Sequence, residues 1–521
     1  MGLPSIEYRG PVIFTTCAVG AVNNAAAAAK SDARVIPSFM IAGILLPDVT
    51  KHNEAARQRW SRMEPLRPDE IVSDVFTEQL VGAEMQEGEA KRKAELFGRA
   101  CATLDARGSD TARAAELCFV PGRIEVFGKH TDYAGGRSLL AAIERGFCVA
   151  WRARADSGVH LVDACSGERA AFEISEDPGP PGKPWTIYAR TVIRRVARNF
   201  PTVRCGADIA FASDLPPAAG LSSSSALMIA IFLAISEVNS LSATREYREN
   251  IASPLDLASY LSAVEAGEDF GKLGGGKGVG TFGGSEDHTA ILCCRAGELS
   301  QFSFCPTRLE QNIPFPEDVI FVVANSGVLA EKTGAALELY NGISRAARKI
   351  LELWRRGTGR ADISLAAAAT SSPEAPDQIR SMLASSTQEA FSAQTLLNRF
   401  EQFMHETFVN VPQAAEAFAR SNWGALGRIS ESSQDAAAKL LGNQTTETLA
   451  LAELARENGA LAASAFGAGF GGSVWALVPV SAADEFWREW QARYASRFAA
   501  AARASFFLAR PGPASMRLTL G

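Results

Sequence analysis

The sequence predicts an α+β protein of two domains, and two observations carry that prediction. The chain has 521 residues, more than a single hydrophobic core organises. Strand-like apolar runs are followed by helical stretches in both halves, so layers of sheet and helix are expected.

The elements follow in order. Residues 1–70 hold an alanine run, Ala25 to Ala29, and little periodicity. They read as an N-terminal extension, expected to be disordered or to precede a true start at Met40 or Met63. From Pro68 to Asp105, Ile71, Val75, Leu80, Leu96 and Ala100 sit among charged residues, the pattern of a surface helix. Arg123 to Phe127 and Ser138 to Ile143 read as strands, and Asp177 to Pro184 as a loop. Ile209 to Phe211 is a further strand, and Ser222 to Val238 a buried apolar helix. Val319 to Ala324 (VIFVVA) is a buried strand. The first domain is expected over 71–312 and the second over 313–521. In the second, Gly357 to Asp377 is partly loop, Trp423 to Gly459 is helical and Ser473 to Val478 is a late strand.

Composition narrows the partners. A formal charge of −6 argues against nucleic acid or an anionic membrane. A small anion such as ATP needs only a local positive spot. No apolar run is long enough to span a bilayer, since Pro37 and Gly43 interrupt Val35 to Leu46. No basic n-region opens the chain, so a cytoplasmic location is expected. The nine cysteines are scattered without CxxC spacing and read as reduced thiols. The five histidines show no metal-ligand spacing.

Four segments carry chemistry. In Pro216 to Ala226 (PPAAGLSSSSA), Gly220 permits a tight turn and the serines open a helix. Free backbone N–H groups, the positive dipole end and hydroxyls there suit phosphate and Mg²⁺. Serine is also a favoured helix cap, but four in a row exceed what a cap requires. Gly467 to Gly472 (GAGFGG) matches GxGxxG. A dinucleotide fold needs a strand before this motif and a helix after it. Here a helix is expected before and a strand after, so that reading is rejected in favour of a loop close to a phosphate or to the serine helix. Gly271 to Gly278 (GKLGGGKG) has Gly278 where a P-loop needs Ser or Thr, and reads as a flexible loop.

In Pro121 to Gly136 (PGRIEVFGKHTDYAGG), Arg123, Lys129, His130 and Asp132 stand within ten residues at a strand end, beside a glycine turn. A solvated rim is the ordinary explanation; a pocket for hydroxyls or carboxylates explains four such groups better. In Gly283 to His288 (GGSEDH), Asp287 is the candidate for steering a hydroxyl proton during phosphate transfer. The alternative is a solvent-facing acidic turn. Upstream, Glu265 and Glu268 could supply a metal carboxylate.

Together these segments resemble the GHMP small-molecule kinases, and within them the galactokinases. PGRIEVFGKHTDYAGG is similar to that family's sugar signature. DLPPAAGLSSSSA resembles its ATP-phosphate motif, AFGAGFGGSVWALV its third motif, and Asn325 to Arg345 its Glu-x-Tyr region. The resemblance covers roughly residues 85 to 510. It implies an N-terminal ribosomal S5-like α/β domain, a C-terminal ferredoxin-like domain and a site between them. It implies an ATP-dependent sugar kinase using Mg²⁺, acting on galactose or a related sugar at the anomeric hydroxyl. By motif, Asp287 and Arg123 would be catalytic, and Lys129, His130, Asp132 and Tyr340 would hold the sugar. Pro217, Gly220, Leu221, Ser222, Ser223, Ser224 and Ser225, with Gly467, Gly469 and Gly471, would bind ATP. Ser224 and Glu265 would meet the metal. Sugar and ATP would be the partners of a monomer or weak homo-oligomer.

Two departures stand out. Lys129 replaces the family's glutamate, which helps bind the far end of the hexose; a cation there would suit a uronic acid, or would pair with a local acid. Glu286-Asp287-His288 replaces the usual Met-Asp-Gln. The alternatives are therefore a uronic-acid kinase, a sugar sensor with little catalysis, or a kinase for a non-sugar alcohol.

Overall fold

The strand expected at Ser138 to Ile143 extends from Arg137 to Ala153, the longest strand among the described residues. A computed structural model describes residues 74–106, 115–180, 182–329, 334–386 and 390–518, all within one compact unit. The extension expected at 1–70 lies outside the described residues.

The first sheet has eight strands. They are β1 (Glu116–Phe127), β2 (Arg137–Ala153), β3 (Gly158–Asp163), β4 (Arg169–Glu173), β5 (Ala207–Ser213), β6 (Glu298–Ser303), β7 (Arg308–Pro314) and a late strand, Met516–Leu518. The main path runs from that late strand through β1, β2, β5 and β3 to β4. Because β2 is so long, its first residues pair with β6 and its last with β5. Only the β3–β5 pair is parallel in this sheet.

The second sheet is β8 (Val319–Asn325), β9 (Ala462–Phe466), β10 (Ser473–Pro479) and β11 (Ser505–Ala509), in the order β11-β8-β10-β9 and antiparallel throughout. The late strand is accordingly β12. The helices between β8 and β9, and Ala483–Arg497 between β10 and β11, complete a βαββαβ plan with a large helical insertion. Val323 and Trp475 of this sheet share one apolar core with Val126 and Val149 of the first, and Phe127 meets Trp475 edge-on at 5.8 Å.

Helix Ser223–Val238 is apolar on all sides and is buried along most of its length, as such a composition requires. The helical run expected from Pro68 to Asp105 is two helices, Asp74–Gly82 and Glu87–Asp105. The stretch from Trp423 also divides, at Gly442 in the left-handed region (φ 65°). The loop 271–278 is pinned by reciprocal Phe270–Leu273 backbone bonds, with Leu273 buried.

One expectation is corrected. Strand β9, not a helix, precedes Gly467–Gly472, so this loop is the turn of the β9–β10 hairpin. The dinucleotide reading still fails, because no helix follows. The division expected at 312/313 falls inside β7, and β12 returns to the first sheet. We propose a boundary at 315–318, between β7 and β8.

Candidate active site

Two irregularities in the β1–β2 pairing, at Pro121/Arg123 and Glu125/Phe127, re-aim the end of β1. Arg123 and Glu125, two residues apart, share a face, and both line a polar cleft. The chain then turns sharply. Gly128 is needed at φ 121°, where a Cβ would strike Ser138. His130 is left-handed at φ 59°, a conformation a non-glycine residue keeps only when its surroundings hold it. Three residues on one helical face do so. Glu406 accepts from the Gly128 N–H (2.9 Å), Gln402 donates to the Lys129 carbonyl (2.9 Å), and Arg399 donates to the His130 carbonyl.

In this cleft His130, Asp132, Tyr133 and Tyr340 line one side. His130 Nδ1 lies 2.9 Å from the Tyr133 hydroxyl, and Nε2 lies 3.0 Å from the Ala468 carbonyl. Asp132 accepts the Glu286 N–H at 3.1 Å. Burial pushes the Tyr133 phenol up to about 12 and the Tyr340 phenol well above its ordinary value. Both stay protonated donors at neutral pH.

Asp287 sits in the first turn of helix Glu286–Cys293, where a negative charge is favoured by the helix dipole. Its Oδ1 accepts from Arg123 Nη2 at 2.7 Å. Arg123 also donates to the Gly220 carbonyl, and its backbone N–H bonds the Leu221 carbonyl. Burial works against the Arg123 charge, but Asp287, Glu286 and Glu125 favour it and prevail. Glu286 is not part of a solvent-facing turn: it is buried and accepts from the Ser138 hydroxyl. Burial raises the Glu125 carboxyl to about 7 and moves Glu286 well above its ordinary value, each also lifted by neighbouring carboxylates.

A second, larger cavity lies on the other side of Arg123. Pro217, Gly220, Ser222, Ser223 and Ser224 form its polar wall. Phe147, Trp185, Tyr188, Phe211, Leu215 and Leu227 form its apolar one. Ser222 stands just before the helix at φ 60° and caps nothing with its side chain. Its hydroxyl is buried without a hydrogen-bond partner, which suits an absent acceptor such as phosphate and disfavours the simple capping reading. Arg123, Asp287 and Ala468 line both cavities.

Most motif residues converge here, and some do not. Ser225 is fully buried and lines neither cavity. Its hydroxyl is 3.2 Å from Glu265 Oε2 and 3.4 Å from Asp287 Oδ2, tying the two carboxylates together. Glu265 lines the polar cleft, whereas Glu268 is on the surface with Arg348. Leu221 is buried behind the cavity. Gly467 lines the polar cleft and packs on Gly220, where an added Cβ would come within 3.0 Å of the Gly220 carbonyl. Gly469 and Gly471 face neither cavity; they turn against Asn443 and Val328. The glycine loop therefore buttresses the serine loop, as does Ser473, which donates to the Ala219 carbonyl at 2.6 Å.

Lys129 requires a correction. It is 1% exposed and lines neither cavity. Its ammonium donates to Ser433 (2.7 Å) and Ser464 (2.9 Å), and Ser433 donates to Glu406 at 3.0 Å. The sharp turn at Gly128 sends the side chain inward, so the cation is matched by a buried acid instead of a sugar carboxylate.

Sequence reasoning missed Glu125, Ser262 and Thr281 in the polar cleft, and the whole apolar wall of the other cavity. The alternation of β1 could have found Glu125.

Three family models match in chain order: the galactokinase galactose-binding signature at 109–153, the GHMP kinases N terminal domain at 187–272 and the GHMP kinases C terminal domain at 414–496. In these segments the chain is similar to the GHMP kinases, and it is galactokinase-like. It is 37% identical over 118 residues to a galactokinase of Actinobacillus pleuropneumoniae, covering 23% of this chain and 31% of that protein. A Glaesserella parasuis galactokinase is 29% identical over 218 residues, 41% and 50% of the two chains. A Roseiflexus galactokinase is 29% identical over 261 residues, 50% and 61%. The chain thus spans less than two-thirds of the length of each of these GHMP relatives. The crystal structure of Lactococcus lactis galactokinase, complexed with galactose, superposes with a TM-score of 0.65 at 23% identity, covering 80% of this chain and 98% of that one. That likeness shows the fold. Among the described residues no helix is long and apolar enough to cross a membrane.

Proposed function

We propose that the protein is an ATP-dependent sugar kinase that phosphorylates galactose or a close relative at the anomeric hydroxyl. One observation carries this reading: a polar cleft and a nucleotide-sized cavity meet at Arg123 and Asp287. A hydroxyl acceptor on one side and a phosphate donor on the other would come together at that pair.

His130, Asp132 and Tyr340 hold the sugar. Asp287 receives or steers the proton of the attacking hydroxyl, and Arg123 stabilises charge developing on the transferred phosphoryl group. ATP phosphates fit the amides and hydroxyls of Gly220 and Ser222 to Ser224. Ser224, on the larger cavity, and Glu265, on the polar cleft and bonded to Ser225, are the residues that would hold Mg²⁺; among the described residues no three His, Cys, Asp or Glu side chains form a cage of their own. When bound, the ion neutralises phosphate charge. A cytoplasmic location suits a substrate of this kind.

ADP release with galactose and ATP tests the proposal. Asp287→Asn should lower kcat by about 10²–10⁴-fold while ATP binding is retained. Wild-type turnover in that variant would remove Asp287 from the mechanism. Absence of ADP release with every sugar would favour a sensor.

A further inference from the structure

Helix Glu87–Asp105 lies outside the three segments matched to kinase families, yet it sends a charge to the root of the serine loop. Lys93, on this helix, is fully buried. Its ammonium donates to Asp214 Oδ2 and, at 3.3 Å, to Glu89 Oε2. A buried ammonium is costly unless it is paired, so the geometry around Asp214 decides what this charge is for.

Asp214 stands where strand β5 ends and the serine loop begins. Its Oδ1 accepts the Gly146 N–H at 2.9 Å, and its carbonyl accepts from Arg145 at 3.3 Å. These bonds carry the β2–β5 pairing one residue past Phe147 and Ser213. The neighbours of Asp214, Ser213 and Leu215, both line the larger cavity, as do Pro217, Ala218 and Gly220 beyond them. Pro216 and Pro217 have no N–H to tie this stretch to its surroundings. It is held at its two ends. Ser473 and Arg123 bond the Ala219 and Gly220 carbonyls at one end, and Asp214 anchors the other.

We propose that Lys93 is a positioning residue for the larger cavity: through Asp214 it fixes the exit of β5, and with it the wall against which the nucleotide lies. The inference rests on the kinase reading for the occupant of that cavity, and adds a determinant carried by the helix that precedes β1. A lysine that only held this helix to the sheet would affect stability alone. Asp105, at the far end of the same helix, bonds Arg152 of β2 at 2.6 Å and provides the control for that case.

The test uses the full chain with galactose and ATP, read by ADP release. Lys93→Met should raise the KM for ATP about tenfold, the scale of coupling between residues in contact, with the KM for galactose unchanged. Asp105→Asn should lower the melting temperature and leave both KM values as in wild type. Adding Asp214→Asn to Lys93→Met should raise the KM for ATP little further, because both changes act through one carboxylate. A rise below about threefold in Lys93→Met, an equal rise in Asp105→Asn, or effects of Lys93→Met and Asp214→Asn that simply multiply would each overturn the proposal. If Lys93→Met fails to fold, Asp214→Asn is compared with Asp105→Asn by the same criteria. If wild type releases no ADP, the kinase reading fails instead, and amide hydrogen exchange decides the inference. Faster exchange at 213–220 in Lys93→Met than in Asp105→Asn supports it, and equal exchange there overturns it.

Discussion

The two cavities that meet at Arg123 are built by opposite means. The polar cleft is a lattice of hydrogen bonds: its side chains bond one another, and its backbone is held by Arg399, Gln402 and Glu406. The larger cavity joins backbone amides and serines to an aromatic wall whose members come from three separate places in the chain. A lattice fixes geometry and protonation; an aromatic wall supplies area and tolerates small displacements. Changes in or behind the cleft should therefore cost stability and alter pH dependence, whereas changes in the other cavity should cost affinity.

The largest effect is expected behind the cleft. Lys129→Met removes two charged hydrogen bonds, to Ser433 and Ser464, together worth about 3 kcal/mol or more. Urea denaturation should show that loss, while the ratio of galacturonate to galactose use stays fixed. A change in that ratio would return Lys129 to the sugar site.

The next concerns pH. The Glu125 carboxyl is raised from 4.5 to about 7, so the folded protein holds a proton that the unfolded chain releases. Its contribution is complete below about 4.5 and is lost as pH rises through about 7. The loss is at most about 3 kcal/mol. Glu144, pushed up to about 7 mainly by burial, acts in the same window. Melting temperature should fall between pH 5 and 8, and Glu125→Gln and Glu144→Gln should each flatten part of the fall. A wild-type melting curve independent of pH would refute this charge state.

In the nucleotide cavity, Trp185→Ala should raise the KM for ATP by an amount worth about 1–3 kcal/mol, the scale of stacking a base on an aromatic ring. The KM for sugar should not move. If both rise together, the cavities are not separable as described.

The smallest effect is at the joint. Gly220 has φ 75°, with 3.4 Å of room for a Cβ, so Gly220→Ala costs mostly backbone strain, about 1 kcal/mol. Thermal melting should show it, with a modest loss of ATP affinity because the turn carries the serine amides.

The chain's own order of residues determined a good deal. PGRIEVFGKHTDYAGG and the serine run announced segments that line the two cavities, because backbone turns and helix starts demand particular residues at fixed local spacing. Continuous apolar runs located β8 and the serine helix, because a buried element must be apolar on every face. Other features were decided only in three dimensions. The wall of Phe147, Trp185, Tyr188 and Phe211 has no local spacing to read. The ion pair of Arg123 with Asp287 joins residues 164 positions apart. Whether Lys129 faces a sugar or Glu406 depends on which way one glycine turn swings its neighbour. A sequence states which charges exist; only packing states which of them meet, because burial and distance set what each charge is worth.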